Sequence, residues 1–138
     1  MAGIGLEQRI TRLLSAGNAE GGFPMALVCT EQGLLVAASG DLSPCEDLAA
    51  LASLFDDVVS RMRRDMEMTA IDELAVRDGR VGRFVIRPLV LRTHERMFLV
   101  VHVPPALTWR RTTNRLCVAL LAELDQLCVN ESGGPDDA

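Results

Sequence analysis

MALVCTEQGLLVAASGDLSPCEDLAALASLFDDVVSRMRRDM, residues 25–66, decides how the rest of the chain is read. Residues 25–30 and 34–39 are two apolar, β-compatible runs with Glu31-Gln32-Gly33 between them. Gly33 ends this short connection and supplies the positive φ that a bulged hairpin turn needs. Side chains alternate along a strand, so Met25, Leu27 and Cys29 share one face and Ala26, Val28 and Thr30 the other. Neither face is strongly polar, which predicts a hairpin covered on both sides. Ser43-Pro44-Cys45-Glu46 then reads as a capping box, with Ser43 as the cap, Pro44 at the first helical position and Glu46 reaching back. Leu48, Leu51, Ala52, Phe55, Val58, Val59, Met62 and Met66 follow at helical spacing as one broad apolar stripe. A helix of about 20 residues results, long for a globular protein.

Upstream, Ile4, Leu6, Ile10, Leu13 and Leu14 predict a helix over 4–16 closed by Gly17, with a loop from Asn18 to Pro24. Downstream, Thr69 to Asp78 predicts a third strand whose charged alternation suits a sheet edge. Leu74 and Val76 share a face with Asp72, while Glu73 and Arg77 point the other way. Such an edge is either blunted by its charges or paired, and pairing with its own copy about a two-fold axis would continue the sheet. Asp78-Gly79 signals a hairpin into a fourth strand over about 81–91, where Pro88 requires a bulge, a bend or an edge position. Thr93 to Arg96 turns the chain, and Met97 to Val103, apolar except for His102, reads as a central strand. Pro104-Pro105 opens a last helix over 106–128, with Leu107, Leu116, Leu120, Leu121, Leu124 and Leu127 on its apolar face. Residues 129–138 read as a disordered acidic tail.

The order α-β-β-α-β-β-β-α is an α+β pattern over a single domain, 1–128. The expected architecture is a five-stranded antiparallel sheet with one long helix on one face and two helices on the other.

Composition excludes several functions. With 138 residues, 49% of them hydrophobic and 24% charged, the chain is of ordinary globular type. No apolar run approaches the length of a membrane span, and the N-terminal stretch carries charges within its apolar pattern, unlike a signal peptide; a cytoplasmic location follows as the expectation. A net charge of −5 argues against general nucleic-acid binding. All 14 basic residues are Arg, so a P-loop lysine, a Schiff-base lysine and a Ser-Lys dyad are absent.

Cys29, Cys45, Cys117 and Cys128 form no Cys-x-x-Cys pair and read as small buried hydrophobes in a reducing compartment. Cys45 lies at a helix start, where a thiol pKa can fall, making a thiol enzyme or redox switch a rival reading; the adjacent Glu46 opposes that shift. His94 and His102 lack the spacing of a zinc site, so no metal or cofactor is expected. Asp56-Asp57 and Asp72-Glu73 read as solvated faces, and nothing amounts to an enzyme signature. Arg110, Arg111 and Arg115, beside Trp109, oppose the dipole of the last helix at a cost of roughly a few tenths of a kcal/mol each. An acidic partner or an intramolecular carboxylate would offset that cost.

The hairpin ALVCTEQGLLVAAS, the helix EDLAALASLFDDVVSRM, the string VRDGRVGRFVIRPL and FLVVHVPPA before a final helix resemble the roadblock family, the dynein light chain-like domains related to profilin-like and longin folds. The resemblance covers about 6–128 and departs from the family in the longer 91–96 turn and the basic, Trp-containing start of the last helix. It implies a non-enzymatic homodimeric adaptor that binds a small Ras-like GTPase, as scaffold or activator. It also implies pairing of the third strand and packing of the second helix across the two-fold. Carried over, this places Leu48, Ala52, Phe55, Val59, Ile71, Glu73, Ala75 and Arg77 at the dimer interface. Asp56, Asp57, Arg61 and Arg64 become candidate GTPase contacts, and no arginine finger is assigned. The alternative within the same broad class is a small-molecule sensor holding its ligand between sheet and helix.

Overall fold

The eight expected elements are all present in the computed structural model, which describes residues 4–132. They are α1 (Leu6–Gly21), β1 (Met25–Thr30), β2 (Leu35–Gly40), α2 (Cys45–Asp65), β3 (Leu74–Asp78), β4 (Gly82–Val90), β5 (Arg96–Val103) and α3 (Arg110–Ser132). The strands form one antiparallel sheet in the order β2-β1-β5-β4-β3. The apolar run of β5 therefore lies at the centre, and β3 lies at an edge, as its charges required.

Alternation along the strands builds two cores. Ala26, Val28, Val85, Leu89, Leu99, Val101 and Val103 meet Ile10 and Leu14 of α1 and Leu116, Leu120 and Leu124 of α3 on one face. Met25, Leu27, Cys29, Ile86, Phe98 and Val100 meet Cys45, Ala49 and Ala52 of α2 on the other. This is the expected arrangement of one helix against two. Each fully buried large side chain, such as Phe98 or Leu99, contributes on the order of 1.5–3 kcal/mol through lost water contact.

The β1–β2 hairpin carries its irregularity between Val28 and Cys29, and Gly33 has φ 89°. Pro88 pairs with Phe98 at the end of β4 that outruns β3, whose register stops at Leu74 opposite Ile86. Pro88 thus lies where β4 has a neighbour on one side only, which resolves the three possibilities in favour of a local edge.

Several boundaries differ from expectation. α1 continues through Gly17 to Gly21, and Gly22, with φ 72°, ends it. Gly17 lies within the helix because α3 crosses there: an added Cβ would come within 2.9 Å of a Leu116 methyl. β3 begins at Leu74 and not at Thr69; Glu67 has φ 57°, which breaks the approach to the strand. α3 begins at Arg110 and not at 106, because Ala106 turns with φ 68°. The same helix runs to Ser132, so residues 129–132 are helical and not tail; residues 133–138, the rest of the expected tail, lie outside the described residues.

The capping box does not form. Ser43 gives its hydroxyl and its backbone N–H to Asp41 Oδ1, at 3.0 and 3.2 Å. The Ser43 oxygen accepts no cap bond from α2, and Pro44 occupies the cap position.

Candidate functional site

The fold's own packing leaves one flank of α2 and the rim of the sheet beside it incomplete. α2 lies over β1, β2 and β5. Cys45, Ala49, Ala52 and Val59 are buried beneath it, with Leu48 and Phe55 packed against the same core. The next apolar positions round the helix are Leu51, Leu54 and Val58, at 49%, 58% and 45% exposure. They form a bare stripe where an amphipathic helix with no partner would carry polar residues.

The α2 side of the outer strands is bare as well. Val76 of β3 and Val90 of β4 are exposed, and Leu74 and Phe84 are half-covered. Beyond them β3 has no further strand, so its outward N–H and C=O groups are unpaired within the chain. The edge is five residues long and carries Ala75, Val76 and Arg77 in exposed positions. An apolar helix stripe, an apolar sheet margin and an open edge therefore occur together on one side of the molecule. That combination suits association with protein, since edge hydrogen bonds give register and apolar surface gives affinity.

The expected interface residues separate into two groups. Ala75 and Arg77 lie on the open edge, as expected. Leu48, Ala52, Phe55 and Val59 face the chain's own sheet instead. The stripe in α2 is broad enough to serve two surfaces, and these four are its inner half. Leu51, Leu54 and Val58 are the outer half, and the helical spacing that found the stripe carries no signal for which half is which.

Ile71 and Glu73 precede β3 and are not edge residues. Glu73 is turned to the opposite face, where its Oε1 accepts the Trp109 indole N–H at 2.9 Å and its Oε2 lies 3.6 Å from Arg110. This intramolecular carboxylate, with Glu20 bonded to Arg115, offsets the basic start of α3.

Of the candidate contact residues, Asp57 and Arg61 are exposed on α2. Arg64 is exposed and pairs with its neighbour Asp65 at 3.2 Å. Asp56 is turned inward, where Arg96 at the start of β5 lies 3.0 Å away and in turn approaches Glu31 at 3.7 Å. Burial raises the Asp56 carboxyl above the ordinary carboxylate range, although Arg96 pulls it down. A side chain committed to that ion pair is a structural tie between α2 and β5 and not a free docking charge.

The remaining chemistry is quiet. Cys45 is buried, and burial followed by the nearby Asp41 raises its thiol pKa, the reverse of what an attacking thiolate needs. Burial pushes Cys29 up to about 12 and also raises Cys117. His94 lies in the β4–β5 turn, while His102 shares its Nε2 hydrogen with Val81 O at 2.7 Å and stacks on Phe84. Among the described residues, no three His, Cys, Asp or Glu side chains are placed to hold a metal ion, and no helix is long and apolar enough to cross a membrane. A hollow of about 570 Å³ lined by Glu31, Ser60, Arg63, Val90, His94 and Arg96 lies open to solvent beneath the end of α2.

No protein-family profile and no curated protein matches the sequence. Solved structures do. MglB of Myxococcus xanthus superposes with a TM-score of 0.77 at 12% identity, over 92% of this chain and 95% of that one. A second MglB structure, described as having a tetrameric arrangement, gives 0.77 at 16% identity over 91% and 95%. A Roadblock/LC7 domain from Streptomyces avermitilis gives 0.70 at 14% identity over 86% and 97%. The chain has the roadblock fold. At such identities the shared property is the roadblock architecture itself: the strand order, the single helix on one face and the pair on the other.

Proposed function

We propose that this chain is a non-enzymatic adaptor that self-associates as a two-fold dimer and binds a small Ras-like GTPase, as scaffold or activating partner. One observation carries the reading: the bare Leu51, Leu54 and Val58 stripe lies on the same side of the sheet as the open margin of β3. Pairing β3 with its twin would satisfy the edge and bring two α2 helices together over the bare margin, converting both exposed surfaces into one interface. The roadblock fold and the tetrameric MglB arrangement are consistent with a fold that self-associates.

The interface we assign is Leu51, Leu54, Val58, Ala75, Val76 and Arg77. Asp57, Arg61 and Arg64, on the polar outer side of α2, are the contacts we assign to the GTPase. Among the described residues, the buried thiols of Cys29, Cys45 and Cys117 have raised pKa values, the reverse of what an attacking thiolate needs, which favours an adaptor over a thiol enzyme. The solvent-open hollow under α2 gives the sensor reading less support than the apolar surfaces give the adaptor. A cytoplasmic site of action accompanies the proposal, because that is where small GTPases and reduced thiols occur together.

The test is calorimetric titration of the chain with small Ras-like GTPases from the same genome, loaded with GDP or with a non-hydrolysable GTP analogue. The expected result is binding to one nucleotide state, weakened about tenfold (1.4 kcal/mol) by Arg61→Glu. Absence of binding in both states across these GTPases contradicts the proposal.

A further inference from the structure

The β3–β4 hairpin and the start of α3 carry five arginines, of which Arg77 and Arg83 are paired across the strands and Arg83 and Arg110 meet on Trp109. Arg77 and Arg83 are directly opposite one another across β3 and β4, a like-charge pairing that destabilises a sheet unless something compensates. The Arg83 and Arg110 guanidinium groups lie 4.5 and 4.7 Å from the centre of the Trp109 ring. Arg80 at the hairpin tip and Arg111 on α3 are exposed.

The acidic groups nearby are few and mostly committed. Glu73 holds Trp109 and Arg110. Asp78 Oδ2 accepts the backbone N–H groups of Arg80 and Val81 within the turn. Asp72 is exposed beside Glu73. Among the described residues, no carboxylate lies within 4.0 Å of Arg77, Arg80, Arg83 or Arg111.

We propose that the Arg77, Arg80, Arg83, Arg110 and Arg111 cluster, organised by Trp109, is a docking surface for an acidic peptide segment of a partner protein. A guanidinium stacked on an aromatic ring keeps its in-plane N–H donors free, and the ring holds those donors in a fixed orientation that suits bidentate capture of carboxylates. Fixing them in advance lowers the side-chain entropy lost on binding.

The size of the partner follows from charge. The chain as a whole carries −5, so the residues outside this patch together carry a net −10. A long polyanion or a charged bilayer would feel that repulsion, whereas a short acidic segment meets only what lies within about one screening length, roughly 8 Å at physiological salt. The surface lies on the sheet face opposite the bare stripe of α2 and shares only Arg77 of the β3 edge with the assigned dimer interface, and its occupation does not depend on the GTPase reading.

Trp109 is the only tryptophan in the chain, so its fluorescence reports this surface directly. An Asp/Glu-rich decapeptide titrated at low salt is expected to change that fluorescence saturably. Its Asn/Gln counterpart is expected to leave it unchanged. Raising the salt, or the double variant Arg80→Glu/Arg111→Glu, should weaken the acidic peptide at least about tenfold (1.4 kcal/mol); both substituted positions are exposed and outside the core. The proposal is overturned by a silent acidic peptide, by equal affinity in the folded double variant, or by tighter binding of phosphatidylserine vesicles or single-stranded DNA than of the peptide.

Discussion

Leu54→Glu separates the two halves of the α2 stripe. Leu54 is 58% exposed in one chain, so its burial within the chain is already incomplete. Full burial of a leucine side chain stabilises by about 1.5–3 kcal/mol. The share still available to a partner is 58% of that, and a two-fold interface counts it twice, giving about 1.7–3.5 kcal/mol per dimer. At 1.4 kcal/mol per factor of ten, the dimer dissociation constant should rise on the order of a hundredfold. Glutamate is a good helix former and the site faces away from the sheet, so the cost to the folded chain stays within about 0.5 kcal/mol. Sedimentation velocity across a concentration series gives the dissociation constant, and thermal melting at a concentration where both proteins are monomeric gives the fold. An unchanged dissociation constant refutes the assignment. A melt that collapses as for a core substitution also refutes it, since Leu54 would then belong with Ala52 and Val59.

Other consequences follow from single residues. Gly82 has φ 102°, and an added Cβ would sit 2.2 Å from the Val103 carbonyl oxygen, so Gly82→Ala should cost at least about 2 kcal/mol in a denaturant titration through strain and clash. Because the folded state holds Cys29 protonated up to about 12 against an ordinary 9.0, its contribution is complete below pH 9 and declines as the pH rises from 9 toward 12. Denaturant midpoints of the wild type should therefore fall faster above pH 9 than those of Cys29→Ala. Trp109→Phe keeps the ring and removes the indole N–H that Glu73 accepts; a loss of about 1 kcal/mol by thermal melting is expected.

The fold was legible because its signals are local. The apolar runs 25–30 and 97–103, the Gly33 and Asp78-Gly79 turns and the helical spacing of 48–62 each depend on residues close in sequence. What failed depended on partners far away along the chain. Asp56 looks like a surface acid until Arg96 is folded against it, and Glu73 like an edge residue until Trp109 takes it. Gly17 looks like a helix stop, yet it is the place where α3 approaches α1. Ser43 matches a capping pattern, but its hydroxyl and its backbone N–H both turn to Asp41, and Pro44 stands at the cap position. The α2 stripe was visible as a whole, while its division between core and surface depends on where the sheet ends.

The interface itself is tested most directly by hydrogen exchange at the amides of residues 74–78, followed as the protein is diluted. If β3 is paired with its twin, its outward-facing amides should be protected at high concentration and lose that protection on dilution through the dimer dissociation constant, with the amides of β5 unchanged. Fast exchange of those β3 amides at every concentration would contradict the account.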